Sequence, residues 1–351
     1  MYHVSVRAIF HTVNIFISLP LAHPKKSTYR LNRIISLMNT TLDLRISQVV
    51  PLSIFCFFMT TVGIIGNATV IYSTVRYKAL KLDAVSLLFI QNLALADIVY
   101  VIVAIFPSFV TYSARGWVLG QGWCFVQAQL AFTPGFANSM LVLAITVYRL
   151  LLFTVPHRAV TTRTGGLCVT LIWSVAILTP AILNGYLGTK GVFQTRTGAC
   201  ISSVYDDATV AVLIISLLLV LIPIVIITIV NISICIIAIR HSTTSSAHNK
   251  TIRRRKNKSL VMTGCLSGVF VLSWMPQVVS NLAKPWFPDQ PNEVYILAYN
   301  SISINSCLNP VLYSLTNKNF RKYVLNTLSN LVGLKPSTRR TQMIEMRNIY
   351  S

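Results

Sequence analysis

The chain has 351 residues, of which 54% are hydrophobic and only 11% charged, with a formal net charge of +22. A water-soluble domain usually carries about 25% charged residues, so this composition excludes an ordinary soluble globule and points to a membrane protein. Against that apolar background the positive charge reads as a topology signal and an attraction to anionic lipid, not as a nucleic-acid footprint.

Residues 1–47 read as an extracellular tail. Its stretch 8–24 is apolar, but it is short and interrupted by Asn14, Ser18 and Pro20. That makes it a poor signal-like segment or an over-extended start, not a span. Asn39-Thr40-Thr41 is a glycosylation sequon, which makes Asn39 the expected acceptor. The triplets at Asn67, Asn231 and Asn257 fall in spans or on the inner side and read as chance.

Long charge-poor gaps follow, each exceeding the roughly 20 residues that cover the hydrocarbon core. They place spans at about 48–75, 84–112, 121–153, 164–187, 208–239, 259–283 and 294–316. Lipid offers backbone groups no partner, so these spans must be helical. The expected architecture is an all-α seven-transmembrane helix bundle over 48–316. A short amphipathic eighth helix over 317–332 and a tail over 333–351 complete it. Basic residues crowd one set of loops, with Arg149, Arg158, Arg163 and the run Arg253-Arg254-Arg255-Lys256 among them. That side is expected to be cytoplasmic, which puts the N-terminus outside and the C-terminus inside. Lys25, Lys26, Arg30, Arg33 and Arg45 in the outer tail run against this rule.

Of the seven cysteines, Cys56, Cys168, Cys235, Cys265 and Cys307 sit in spans and read as small buried hydrophobes. Cys124 and Cys200 face the oxidising side, where a disulfide between them is expected. Between the fourth and fifth spans, "GVFQTRTGAC" alternates around a Thr-Arg-Thr-Gly turn and predicts a hairpin.

One motif falls in each span: Gly66-Asn67, then "NLALAD" at 92–97, then "WVLGQGWC" ending at Cys124. Trp173, Pro223, "FVLSWMP" at 270–276 and "NSCLNPVLY" at 305–313 follow in order. With these motifs the chain resembles the rhodopsin-like (class A) G-protein-coupled receptors, and peptide receptors in particular. The resemblance runs from about Val49 to Leu331. It implies a plasma-membrane receptor that activates a heterotrimeric G protein in response to an extracellular ligand. Arrestin and a receptor kinase would be further partners, acting on hydroxyls of the inner loop.

The same resemblance gives roles to residues. Asp97, Asn138, Asn305 and Ser306, with Asn67 and Asn309 nearby, correspond to a cluster that can hold a sodium ion as an allosteric group. The alternative is a protonated Asp97 bonded to amides with no ion. No other cofactor is implied. Trp274, Pro276, Asn309, Pro310 and Tyr313 correspond to the activation switch. Arg149 and Lys256 correspond to the G-protein contact. Gln127, Phe132, Gln277, Asn281 and Tyr299 face the presumed ligand pocket. Ala131 replaces the acid that amine receptors need, and Ser303 replaces the lysine that light receptors need. A peptide is therefore expected, with a small non-amine or lipid ligand as the alternative.

Two positions depart from the family pattern. Tyr148 stands where an acid usually precedes Arg149, and Lys256 stands where an acid often faces that arginine. Both changes predict a weakened resting clamp and measurable output without ligand. A transporter is a distant alternative, but no internal repeat is visible. The zinc-protease and nucleophile-elbow motifs are absent, so an enzyme is not expected.

Overall fold

The computed structural model describes residues 41–76, 82–154, 160–187, 190–203, 220–244, 250–283, 286–287 and 290–331. Asn39, the stretch 8–24, Lys284, Asp289, the segment 204–219 and the tail after 331 lie outside the described residues. The helices are α1 (Ile46–Arg76), α2 (Ala84–Ala114), α3 (Gly120–Leu130 continuing as Phe132–Thr154) and α4 (Thr162–Leu187). After a β-hairpin come α5 (Ile222–Thr244), α6 (Lys250–Ala283), α7 (Asn292–Thr316) and α8 (Lys318–Leu331).

Five of these helices, α1, α2, α3, α4 and α6, are each long and apolar enough to cross a membrane. The described apolar part of α5, Ile222–Ile237, is shorter. The low apolarity of α7 has a local cause. It buries Asn300, Ser301, Ser303, Asn305, Ser306 and Asn309 toward its neighbours. Polar groups in a span are tolerated where they face the bundle. The outward faces are apolar: Ile54, Phe58, Leu171, Leu272 and Leu297 are all exposed. In water that belt would be an aggregation surface, whereas lipid is its natural solvent.

The central helices are α2 and α3, and they are the most buried. Leu93, Ala96, Ala137, Leu141, Leu266 and Phe270 form the core between α2, α3 and α6. A second cluster, including Cys56, Val101, Ile105 and Cys307, joins α1, α2 and α7. Midway along α2, Val101–Ile105 form a π-helical turn. Pro107 lacks the N–H that would serve the carbonyl four residues back, and the Phe106 N–H reaches Val101 O instead. Proline thus turns a missing donor into a local widening of the helix. Pro134 similarly withholds a donor just after the break in α3 at Ala131.

The hairpin pairs β1 (Lys190–Gln194) with β2 (Ala199–Ser203), with Phe193 opposite Cys200. Gly198 takes φ 71° in the turn, a left-handed conformation that glycine adopts without strain. A disulfide joins Cys124 near the N-terminal end of α3 to Cys200 in β2. The hairpin lies close over that helix end: a Cβ on Gly191 would sit 2.7 Å from the Cys124 carbonyl oxygen. At the opposite end of the bundle, Asn317 Oδ1 accepts the N–H groups of Asn319 and Phe320 and starts α8. Phe320 is buried edge-on against Tyr313 of α7.

Candidate functional site

Asp97 is fully buried at mid-bundle and gathers side chains from other helices. Asn138 of α3 donates its amide to Oδ1, and Asn309 of α7 donates to Oδ2 at 2.7 Å. Ser306 adds a side-chain bond. Asn305 donates to Asn138 Oδ1 at 3.3 Å. Asn67 of α1 donates to the carbonyls of Gly63 and Ser306 at 2.9 and 2.8 Å. The six residues that sequence reasoning grouped are therefore brought together by four helices. A carboxylate in an apolar interior is costly unless such donors surround it.

Close backbone approach makes this network reachable. A Cβ on Gly66 would meet Pro310 Cγ at 2.8 Å, and one on Gly63 would meet Val101 Cγ2 at 2.6 Å. Glycine at both positions lets α1 lie against α7 and α2. Among the described residues, Asn67 Oδ1 and Asn305 Oδ1 are buried with no hydrogen-bond partner. Together with Asp97 they offer the oxygen donors that a small hard cation takes, so the donor set fits sodium.

Above this cluster, Trp274 lies two residues before Pro276 in α6. Its ring packs on Phe270 at 5.9 Å and covers Gly135 of α3. The residues expected to line the ligand pocket have separate fates. Gln127 is fully buried, and its Oε1 accepts the Cys200 N–H at 2.7 Å, which seats the hairpin. Its Nε2 has no partner among the described residues. Phe132 is half-buried and stacks near Phe136. Gln277 donates to Asn281 along α6 at 3.0 Å. Tyr299 bonds Ser108 of α2.

The hairpin end of the bundle is held together at several points that the sequence did not announce. Tyr112 donates its hydroxyl to Thr197 O at 2.6 Å and accepts from Asn300 Nδ2 at 3.3 Å. The Asp43 N–H reaches Thr195 O, and Thr41 forms a bridge to Gly116. Arg196 stands over the Tyr295 ring of α7 at 5.8 Å.

At the end of the bundle opposite the hairpin, Arg149 is 5% exposed, and its Nε and Nη2 have no partner among the described residues. Lys256 lies on α6, its side chain outside the described residues. Thr146 and Ser267 bond at 3.2 Å between α3 and α6. Position 148 holds no acid, but Tyr148 meets one from another helix. Tyr148 donates its hydroxyl to Asp83 Oδ1 at 2.8 Å, so the acid comes from the start of α2. Asp83 also caps that helix through the Ser86 N–H and hydroxyl at 2.9 and 2.7 Å. Burial alone would raise the Asp83 carboxyl, but the Ser86 bonds, the Tyr148 hydroxyl and the Arg149 charge bring it below its ordinary value. The sequence did carry a signal for Asp83, a capping residue three positions before Ser86 at a helix start. Its second partner, Tyr148, is 65 residues away in the chain.

These features define a polytopic helix bundle with a buried polar cluster, a disulfide-tied hairpin at one end and a buried arginine at the other. The sequence pattern of the "7 transmembrane receptor (rhodopsin family)" matches residues 66–313, and the chain belongs to that family. It is 29% identical over 294 residues to the melatonin receptor type 1B of Rattus norvegicus, covering 80% of this chain and 78% of that protein. It is 26% identical over 296 residues to the galanin receptor type 2 of Homo sapiens, covering 82% and 75%. With the C-C chemokine receptor type 3 of Macaca mulatta the identity is 23% over 293 residues, covering 80% and 79%. The chain is a multi-pass membrane receptor that couples an extracellular ligand to a G protein, and its family is one of receptors, not enzymes.

Proposed function

We propose that the ligand is a peptide that enters from the outer face, beside the hairpin. The observation that carries this reading is the hairpin itself. It is bound to α3 by a disulfide and to α2 by Tyr112, and it offers a firm shelf for an extended chain. The galanin receptor among its relatives supports it. A small neutral ligand is the second reading, favoured by the melatonin receptors among the relatives and by the Asp43–Thr195 contact across the rim. Gln127 Nε2, Phe132, Gln277, Asn281 and Tyr299 supply hydrogen bonds and aromatic surface to either ligand.

Ligand binding biases a two-state bundle. The state with the inner end of α6 swung outward opens a cavity at Arg149 and Lys256 for the G protein. Trp274, Pro276, Asn309, Pro310 and Tyr313 transmit the change, because proline-weakened helices bend where a carbonyl lacks its donor. Sodium held by Asp97 with the free Asn67 and Asn305 oxygens favours the closed state. Asp97 carrying a proton instead of facing an ion is the competing arrangement. The receptor resides in the plasma membrane with its N-terminus outside, glycosylated at Asn39, and engages arrestin after phosphorylation of its inner loop.

The test is a screen of peptide and small-molecule libraries on cells carrying G-protein dissociation sensors. The peptide reading expects at least one peptide to act at submicromolar concentration and to lose its effect in Gln277→Ala. Activation by small molecules alone would overturn it.

A further inference from the structure

Tyr148 occupies the place beside Arg149 where an acid would hold the guanidinium directly. It is buried, and its ring meets Phe89 of α2 edge-on at 6.1 Å. Its hydroxyl ends on Asp83 Oδ1, the same oxygen that receives the Ser86 N–H. One carboxylate therefore joins the N-terminus of α2 to the inner end of α3. The position suits a negative charge, because the first turn of a helix presents unpaired N–H groups and a partial positive charge.

Arg149 makes the charge matter. It is 5% exposed, and two of its guanidinium nitrogens lack partners among the described residues. A buried cation with unpaired donors is stabilised by a nearby countercharge; burial disfavours the Arg149 charge, and the Asp83 carboxylate works the other way. Removing Asp83 would make the closed state, with Arg149 buried, less favourable than the open state in which Arg149 meets water or a G protein.

We infer that Asp83 is a positioning residue for G-protein coupling. It latches α3 through the Tyr148 hydroxyl and counterbalances Arg149 while the bundle is closed, from a helix other than the one that bears the arginine. This rests on the reading of Arg149 as the G-protein contact.

The test uses full-length receptor in lipid nanodiscs with a panel of purified heterotrimers, reading the rate of nucleotide exchange without ligand. Asp83→Asn keeps a good helix cap and removes the charge. Tyr148→Phe keeps the ring and removes the bond. Each should raise exchange by about two- to fivefold, the scale of a partly exposed charge contact. The double variant should exceed either single effect without exceeding their product, because Asp83→Asn removes the charge but keeps an oxygen that accepts the Tyr148 hydroxyl, whereas Tyr148→Phe removes that bond. Arg149→Ala should lower exchange. Thermal melting of each variant separates the latch from simple misfolding.

Parent rates in Asp83→Asn and Tyr148→Phe, with Arg149→Ala still lowering exchange, overturn the latch alone. A rise in Asp83→Asn without one in Tyr148→Phe overturns the Tyr148 link. An unchanged rate in Arg149→Ala overturns the contact reading, and the latch falls with it.

Discussion

Asn309 grips Oδ2 of Asp97 at 2.7 Å and so closes α7 against α2 at the middle of the bundle. Asn309→Ala would leave that oxygen short of a donor in apolar surroundings, at a cost of about 1–3 kcal/mol. Purified receptor should melt a few degrees lower. Asp97→Asn should melt at or above the parent, because a buried charge is exchanged for a neutral amide. It should also abolish any difference between sodium and choline buffers in basal nucleotide exchange. A sodium effect that survived the substitution would place the ion elsewhere.

Two glycines make a matched pair. A Cβ on Gly66 would press the rigid Pro310 ring, whereas one on Gly264 would meet nothing within 4 Å. Gly66→Ala should therefore destabilise by about 1–3 kcal/mol through overpacking. Gly264→Ala should be neutral or stabilise by up to about 1 kcal/mol through helix propensity. Thermal melts of the two variants in one detergent would show the contrast, and equal shifts would refute it.

Tyr112 anchors the hairpin turn by one hydroxyl, which bonds Thr197 O and Asn300 Nδ2. Tyr112→Phe should loosen the turn without disturbing the ring's packing. Losing about 1 kcal/mol there speeds local opening roughly fivefold. Hydrogen–deuterium exchange across 190–203 would report it, and unchanged protection in that segment would count against the anchor.

The Asp83 carboxyl lies below its ordinary value, so its pH behaviour has a definite sign. A depressed carboxyl contributes stability above its unfolded pKa and loses it as pH falls through the lower folded value. The latch should thus persist through the cytosolic range, with basal exchange flat from about pH 6 to 8 as far as Asp83 is concerned. A pH-rate inflection inside that window, present in the parent and absent in Asp83→Asn, would contradict this.

The hairpin was readable because its signal is short-range, and the Asp97 cluster was grouped through the family resemblance, whose motifs fall one per span. The Thr-Arg-Thr-Gly turn announces itself, and Cys124 and Cys200 share the one oxidising face. Asn67, Asp97 and Asn309 stand out as polar residues in apolar runs. Gln127 is expected at the ligand pocket, and its Oε1 in addition serves the Cys200 N–H, a partner that the sequence did not show. The reason is that a polar side chain near a pocket has backbone competitors for its bonds, and sequence does not rank them.

What the sequence by itself determined was the membrane character, the helical spans and the list of polar residues within them. A lipid solvent dictates all three: it forbids unpaired backbone groups and penalises every charge. Only the tertiary structure decided which polar group pairs with which. Asp83 to Tyr148, Tyr112 to Thr197 and Gly66 to Pro310 each join residues far apart in the chain. Such contacts depend on how the helices pack and rotate against one another, and those geometries follow from packing summed over whole faces, not from any local stretch of residues.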